Sequence, residues 1–504
     1  MSRMWYRYGL VMALLLFMPL LGSAQQLDTT FTQTSPPAPV GSGARAMGTG
    51  GAFIAIGDDA TSANWNPGAM VQLIYPEASV VLSAEGRDVG GDEDSFNAVN
   101  HASLVYPFSV EGLNVVTGVS YQRLYDFYFT AEASTTGGYN YIDQVMVLDP
   151  TMPVVEITDV SASYPLSVEQ VKDGSLEALT PSIAFQITPQ FSLGFSYNFW
   201  DDDWMGSPYK QTYNEVREEG TRYQSDGAYF VDGDLSNCTC NGGEVCDSNG
   251  DIIDDPSCMG GTSVIAGSTG VTVDTTDRVE IRGREEIDME GQNFTIGFLW
   301  EATPQWSIGG VYRSEFELDM ERKLRYEYIG FSPPRSTSKR TYDEKMRMPA
   351  SYGLGVAYRY NDELSFAFDA TRIEWDRFEL ELDDGSRISP VNGLPEDEAD
   401  IDPTTTYRLG GEYLLVQPKY VVPFRMGFFY DPQPAREDPD EYYGIAGGTG
   451  LVYEHLVFDL AYWYKWGNDV TLYTNYNKNT GAVEEVEGDV VQRMVMLSLI
   501  VHVQ

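Results

Sequence analysis

Histidine, cysteine and positive charge are scarce in this 504-residue chain, and each shortage removes a class of function. Three histidines and four cysteines leave little from which to build a histidine-rich metal centre or a Cys/His catalytic pair, so a cytosolic metalloenzyme is not expected. With 32 basic residues against 75 acidic, the net charge is -43 and no basic stripe offsets it. Phosphate backbones are repelled by such a chain, which removes nucleic acid from its partners. Beyond the N-terminus no apolar run reaches the roughly 18 residues that a spanning helix needs.

What is present begins at residue 1. Arg3 and Arg7 precede an apolar stretch from Leu10 to Leu21, and Gly22-Ser23-Ala24 supplies small residues at the expected cleavage point. Residues 1–24 therefore read as a secretory signal peptide; a retained anchor is the weaker alternative, because the run is short for a helical span. These residues hold two bases and no acid, so the exported chain carries 30 minus 75, or -45.

The mean hydropathy of -0.27 points to a soluble protein. Reading every second residue reverses this. Phe191, Leu193, Phe195, Tyr197 and Phe199 alternate with Ser192, Gly194, Ser196 and Asn198, and Leu456, Phe458, Leu460, Tyr462, Tyr464 and Trp466 alternate with Asp459, Ala461 and Lys465. Trp306, Ile308, Tyr312, Phe316 and Leu318 line a third such face, opposite Ser307, Arg313, Glu315 and Glu317. Period-two alternation longer than an ordinary strand, repeated behind a signal peptide, is the pattern of a membrane barrel with lipid outside and polar side chains inside. Fourteen strands fit between residues 76 and 503. Tight turns fall near Pro107 to Glu111, Pro189, Pro304, Asn361-Asp362, Gln417-Pro418 and Glu454-His455, with longer loops at the other end. The short end is expected in the periplasm, with both termini, and the long loops outside the cell. Two connections, 129–175 and 203–275, are too long for passive turns and read as functional loops or as a solvated acidic shield.

Residues 25–75 do not alternate and are rich in glycine. Their Gly41-Ser42-Gly43-Ala44-Arg45-Ala46 matches a dinucleotide-binding pattern in form only, because a Pro-rich segment precedes it instead of a strand. Gly43-Ala44-Arg45-Ala46-Met47-Gly48, the following Gly50-Gly51-Ala52-Phe53 and Trp65-Asn66-Pro67-Gly68 resemble the N-terminal signature of the FadL/TodX family of outer-membrane transporters for long-chain fatty acids and other hydrophobic compounds. Met348 to Arg359, Tyr407 to Tyr413 and Pro423 to Phe428 resemble later segments of that family. The resemblance implies an all-β, 14-stranded antiparallel transmembrane barrel over 76–504, in the bacterial outer membrane, with residues 25–75 as a hatch plugging its lumen. It also implies passive uptake of a hydrophobic small molecule, long-chain fatty acids first, with outer-membrane lipid and the barrel-insertion machinery as partners. The chain departs from the family in having Gly68 where Asn-Pro-Ala is usual, and in ending without an aromatic residue. Relatives that share the signature serve secretion or surface assembly, so a docking accessory is the alternative function.

Binding and diffusion need no nucleophile, and the chain offers no obvious catalytic pair. His455 lies in a short turn and His502 in the last strand, away from His101, which reads as a rim residue; an enzyme is not expected. Alternation places Arg313, Arg408 and Arg425 on lumen faces, opposite Asp369, Glu412 and Asp459. Either these pair with one another or one of them, or Arg45 in the hatch, meets a ligand headgroup. Gly118, in a bulky third strand, is the candidate for a kink that lets a hydrophobic molecule leave sideways; the alternative is that it makes room for a large lumen neighbour.

The 203–275 loop holds 13 acidic residues against three basic and all four cysteines, Cys238, Cys240, Cys246 and Cys258. In an oxidising compartment four cysteines in one window read as two disulfides, and Cys238 and Cys240 are too close to pair with each other, which leaves two connectivities. The spacing lacks the paired knuckles of a zinc site. Asp247, Asn249, Asp251 and Asp254 resemble a short calcium loop without its Gly at position six and Glu at position twelve, so calcium stands beside a solvated acidic turn as a reading, and no other cofactor is expected. Intact-mass measurement with and without reductant is expected to show both disulfides closed; four free thiols in freshly isolated membranes would contradict this.

Overall fold

The computed structural model describes residues 38–39, 41–89, 92–126, 129–149, 152–201, 209–217, 221–231, 244–246, 252–254, 263–275, 279–329, 335–477 and 482–503. The signal peptide expected over 1–24, together with Cys238, Cys240, Cys258, Asp247, Asn249 and Asp251, lies outside them. Cys246 and Asp254 are described only as backbone, in the two short paired strands Glu244–Cys246 and Ile252–Asp254.

Fourteen wall strands, numbered here in chain order, form the barrel. They are β1 (Glu77–Val89), β2 (Asp92–Val110), β3 (Leu113–Asp126), β4 (Ser175–Thr188), β5 (Phe191–Asp201), β6 (Val279–Glu301) and β7 (Trp306–Arg313 with Phe316–Ile329). The ring continues through β8 (Arg335–Met348 with Ser351–Arg359), β9 (Leu364–Ile373), β10 (Thr404–Val416), β11 (Val421–Tyr430), β12 (Tyr443–Tyr453), β13 (Leu456–Asn477) and β14 (Ala482–His502). Neighbours pair antiparallel, and β1 closes on β14 from Glu77 opposite His502 to Val89 opposite Val490. Among the described residues no helix is long and apolar enough to cross a membrane. Strands cross it here, and the ring closes on itself so that backbone groups pair from strand to strand.

The outer face follows the alternation: Leu193, Phe195, Phe199, Phe366, Phe368, Met426, Phe428, Phe458 and Leu460 are all exposed. Aromatic rings mark the borders of this apolar belt. Trp306 and Tyr358 meet at 4.5 Å near the short turns, and Tyr312 and Tyr352 stack at 6.0 Å toward the other end.

Four expectations are corrected. All six tight turns lie at one end, but three connections at the opposite end are also short: the ladders run on to Val89 opposite Asp92, Ile329 opposite Arg335 and Asn477 opposite Ala482. Backbone pairing simply continues beyond the apolar belt. The 129–175 connection is a long antiparallel pair, Phe129–Asp149 with Met152–Asp173, and 203–275 carries strands Tyr209–Arg217, Thr221–Val231 and Ser263–Thr275 joined to it. His101 is wholly buried on the inner face of β2, next to the bulge at Asn100, and not at a rim.

The fourth correction concerns β7. Thr295 of β6 lies opposite Arg313, yet Gly291 lies opposite Leu318, so β7 holds one extra residue at Ser314-Glu315. A single added residue inverts every side chain beyond it. Phe316 and Leu318, expected on the lipid face with Trp306, are therefore buried inside, while Glu317 and Asp319 point outward and meet Lys345 of β8 at 2.6 and 3.5 Å. Strand β8 makes the matching change at Pro349-Ala350, because Phe316 pairs with Met348 and Arg313 with Ser351. In the intact membrane protein, Glu317→Cys is expected to react with a water-soluble maleimide and Leu318→Cys to resist it; the reverse labelling would restore the uninterrupted pattern.

Candidate functional site: a layered lumen

Inside the barrel, residues 41–76 cross the lumen as a folded segment with helices α1 (Ala44–Gly48) and α2 (Ser62–Trp65) and a 3-10 turn over Pro67–Gln72. Glycine in these sequences resists long helices, and Pro67 opens the 3-10 turn while the Asn66 side chain accepts from Gly68 N. Wall side chains take up the backbone groups left over. Ser498 Oγ accepts from Ala44 N at 2.6 Å, Asp369 Oδ2 from Phe53 N and Ile54 N at 2.6 and 2.9 Å, and Ser192 Oγ donates to Gly68 O at 2.8 Å. Asn66 Nδ2 donates to Phe298 O at 2.8 Å, and Ser103 Oγ to Ala60 O at 2.9 Å. The segment is thereby tied to strands all round the ring. Its first described residues, Ala38–Pro39, pair with Asp126 and Tyr125 toward the long-connection end, whereas Val503 N donates to Pro76 O at the short-turn end.

Close approach explains the glycines. A Cβ on Gly427 would lie 2.2 Å from Gly50 N, one on Gly410 2.4 Å from Thr49 O, one on Gly194 2.2 Å from Pro67 C and one on Gly309 2.4 Å from Ile54 O. From the segment's side, Gly48 abuts Gly448, Gly50 abuts Gly427, Gly51 abuts Arg408, and Gly68 abuts the Gly297 carbonyl, while Gly43 abuts Thr61 within the segment. Wall glycines face one another across the ladder as Gly194 with Gly297, Gly309 with Gly355, and Gly410 with Gly427. They form a belt at which two backbones meet without side chains between them.

The four arginines lie on the lumen side and all are engaged. Arg45 binds Asp58 at 2.6 Å and Glu412 at 3.1 Å, and lies over the Phe53 ring. Burial disfavours its charge, but Asp58, Glu412 and Asp59 outweigh that and hold its pKa above the ordinary value. Arg425 bridges Glu412 and Asp459 at 2.6 Å each; Arg408 lies 3.7 Å from Asp431, which Lys465 binds at 2.6 Å. Arg313 donates to the carbonyl of Asn64, at the end of α2, at 2.6 Å. The charged network thus occupies β9 to β13 and clamps the segment to the wall.

The opposite wall, β3 to β6, carries an uncharged polar band, beyond which lie the buried Arg123–Asp126 pair at 2.6 Å and Glu177. Gln122, Thr180, Asn198 and Asn293 form a hydrogen-bonded amide and hydroxyl band, with Ser182 and Ser196 below it at 2.7 Å from each other. Above the band, the phase change in β7 and β8 turns apolar side chains inward. Leu176, Trp200, Met289, Phe316, Leu318, Met320, Met346 and Met348 form one buried cluster, which Trp375, Phe378 and Val391 of the 374–403 connection roof over. Trp200 stacks on Phe316 at 5.1 Å, and Trp375 Nε1 donates to Thr404 Oγ1 at 3.1 Å. Sequence reading missed this cluster because its β7 and β8 residues fall beyond the phase change, where outward and inward exchange.

Gly118 lies behind an open groove of about 880 Å³ on the outer face, bordered by Tyr75, Leu104, Tyr106, Val119 and Val503. Met70 of the segment stands on its inner side, and its ladder is intact, with Val105 on one flank and Ser182 on the other.

A closed fourteen-stranded barrel with an apolar cluster packed inside it defines a class of outer-membrane channel. Residues 36–504 match the family of outer membrane transport proteins described as OMPP1/FadL/TodX, and the chain belongs to that family. No curated protein matches the sequence. In structure it is similar to a FadL homologue of Pseudomonas aeruginosa, with 16% identity, 93% of this chain and 100% of the other covered, and a TM-score of 0.53. It is also similar to a ΔS2 mutant of the TodX monoaromatic hydrocarbon channel, with 14% identity, 92% and 99% covered and a TM-score of 0.51. The toluene transporter TodX of P. putida shares 14% identity over 92% of this chain and 99% of its own, with a TM-score of 0.47.

The glycine belt predicts a graded response. Gly427→Val is expected to displace the segment, exposing Arg45 to trypsin and raising ion conductance in planar bilayers, while Gly447→Ala, whose Cβ would meet nothing nearer than 3.9 Å, leaves both unchanged. Equal behaviour of the two variants would mean that the belt does not hold the segment.

Proposed function

We propose that this protein admits hydrophobic molecules passively across the outer membrane, with the short turns in the periplasm, the long connections outside the cell and residues 41–76 acting as a hatch. The apolar cluster packed inside the barrel carries this reading. A water-filled pore would line its outer third with polar groups, whereas here Phe316, Leu318, Met320, Met346 and Met348 face inward and the charges face out. A long-chain fatty acid fits such a lining along its chain better than at its carboxylate, because Arg45, Arg313, Arg408 and Arg425 already have partners. An apolar hydrocarbon needs no such partner.

Release into water costs about 0.8 kcal/mol for each exposed CH₂, so an exit sideways into the membrane is favoured, and the groove outside Gly118 supports that wall as its place. Opening there requires the loss of pairing with Val105 or Ser182.

Uptake of radiolabelled dodecane by a host lacking its own channel of this class tests the reading. Met348→Glu, which buries a charge in the chamber, is expected to lower uptake about tenfold while the barrel keeps its heat-modifiable migration on gels. A disulfide joining Tyr106→Cys to Thr117→Cys, opposite each other at the groove, is expected to stop uptake until it is reduced. Uptake indifferent to Met348→Glu, together with stable co-purification of a secreted protein, would favour the docking accessory instead.

A further inference from the structure

The neutral band below the chamber has a fixed direction. Asn293 is determined at both ends of its amide. Its Oδ1 accepts from Trp200 Nε1 at 2.9 Å, a group that only donates, and its Nδ2 donates to Ser314 O at 2.9 Å, a group that only accepts. The Asn198 atom lying 2.7 Å from Asn293 Oδ1 must then be its NH₂ nitrogen, which turns Asn198 Oδ1 toward β4 and β3. There Oδ1 accepts from Thr180 Oγ1 at 2.8 Å and from Gln122 Nε2 at 3.0 Å. Side-chain amides are often ambiguous in orientation, but a run of partners of fixed polarity removes the ambiguity one residue at a time. The last free atom of the run is Gln122 Oε1, an acceptor. It is buried and has no hydrogen-bond partner among the described residues, and the same holds for Ser120 Oγ, the next inward side chain on β3. Gln122 sits directly across the ladder from Ala178 of the chamber cluster.

An isolated buried polar atom is costly, and here two occupy successive inward positions of β3 beneath the packed apolar cluster. We infer that Gln122 and Ser120 receive the hydroxyl of an otherwise hydrophobic molecule. Its O–H donates to Gln122 Oε1, its oxygen accepts from Ser120 Oγ–H, and its apolar body enters between Leu176, Trp200 and Phe316, which part to admit it. The inference rests on the uptake reading and narrows it to a substrate class, long-chain or aromatic alcohols. A carboxylate has no hydrogen to give to Gln122 Oε1, and a hydrocarbon leaves both atoms unpaired.

Two isomers separate these cases. 1-Dodecanol and 1-methoxyundecane have the same atoms, but only the first has an O–H to donate. Their affinities, and that of dodecanoate at pH 8, are read by tryptophan fluorescence of the full-length protein in phosphatidylcholine vesicles, with Trp200 and Trp375 at the chamber as reporters. The ratio of alcohol to ether affinity is expected to fall about tenfold in Gln122→Leu, whereas Ser120→Ala, which removes a donor that either oxygen can use, is expected to weaken both probes several-fold and leave the ratio in place. A ratio unmoved by Gln122→Leu, or dodecanoate binding more tightly than dodecanol, would overturn the hydroxyl site while leaving uptake standing. Failure of all three probes to bind would overturn the uptake reading and the site with it.

Discussion

Inside a bilayer every backbone N–H and C=O must find its partner within the protein, and that single demand organises this molecule. The pairing of β1 with β14 meets it by closing the ring. Once the ring is closed, alternate side chains are committed to lipid, and whatever the protein recognises has to be recognised by the other half. The segment 41–76 faces the same demand within the lumen. Its short helices leave many backbone groups unpaired, and Ser498, Asp369, Ser192, Ser103 and Arg313 on the wall supply their partners.

Two devices hold the segment, and both carry a cost. Glycine inside a strand costs roughly 0.5–1 kcal/mol relative to alanine, so the wall glycines weaken the strands that contain them. Their return is contact between backbones that a single methyl group would forbid, as the distances below 2.5 Å at Gly194, Gly309, Gly410 and Gly427 show. The buried ion pairs are the second device. A buried charge without a partner costs several kcal/mol, and Arg425 between Glu412 and Asp459 gains its place only because both acids are within 2.6 Å. Such a network contributes more to position than to stability. It fixes where Arg45, and with it the segment, must lie.

Much of this was legible in the sequence. The alternation in Phe191 to Phe199 and Leu456 to Trp466 gives the lipid face directly, and Pro189, Pro304 and Glu454-His455 give turns because strands cannot continue through them. The glycines were visible too, in Ser192-Leu193-Gly194 and Ser307-Ile308-Gly309, but a strand pattern cannot say which backbone comes near. The phase change was hidden for a sharper reason. Phe316, Leu318 and Met320 alternate with acids as regularly as the strand before them, so each half reads correctly alone, and only the register against β6 shows that the halves have opposite sense. His101 was misplaced because its strand continues well beyond the expected boundary.

One inserted residue therefore sets two boundaries at once. On the outside, the change at Ser314-Glu315 ends the apolar belt and begins a charged surface. On the inside, it converts a polar wall into an apolar chamber at the same height. These cannot be tuned separately, since a strand has only two faces and what one loses the other receives. A barrel that needs a hydrophobic chamber must place it beyond the bilayer border, where the outward face is free to be charged. Lower down, lipid claims the apolar residues, and the inner wall is left with amides, hydroxyls, ion pairs and glycine. The descent from Phe316 through Asn198 to Pro67 is thus a consequence of alternation.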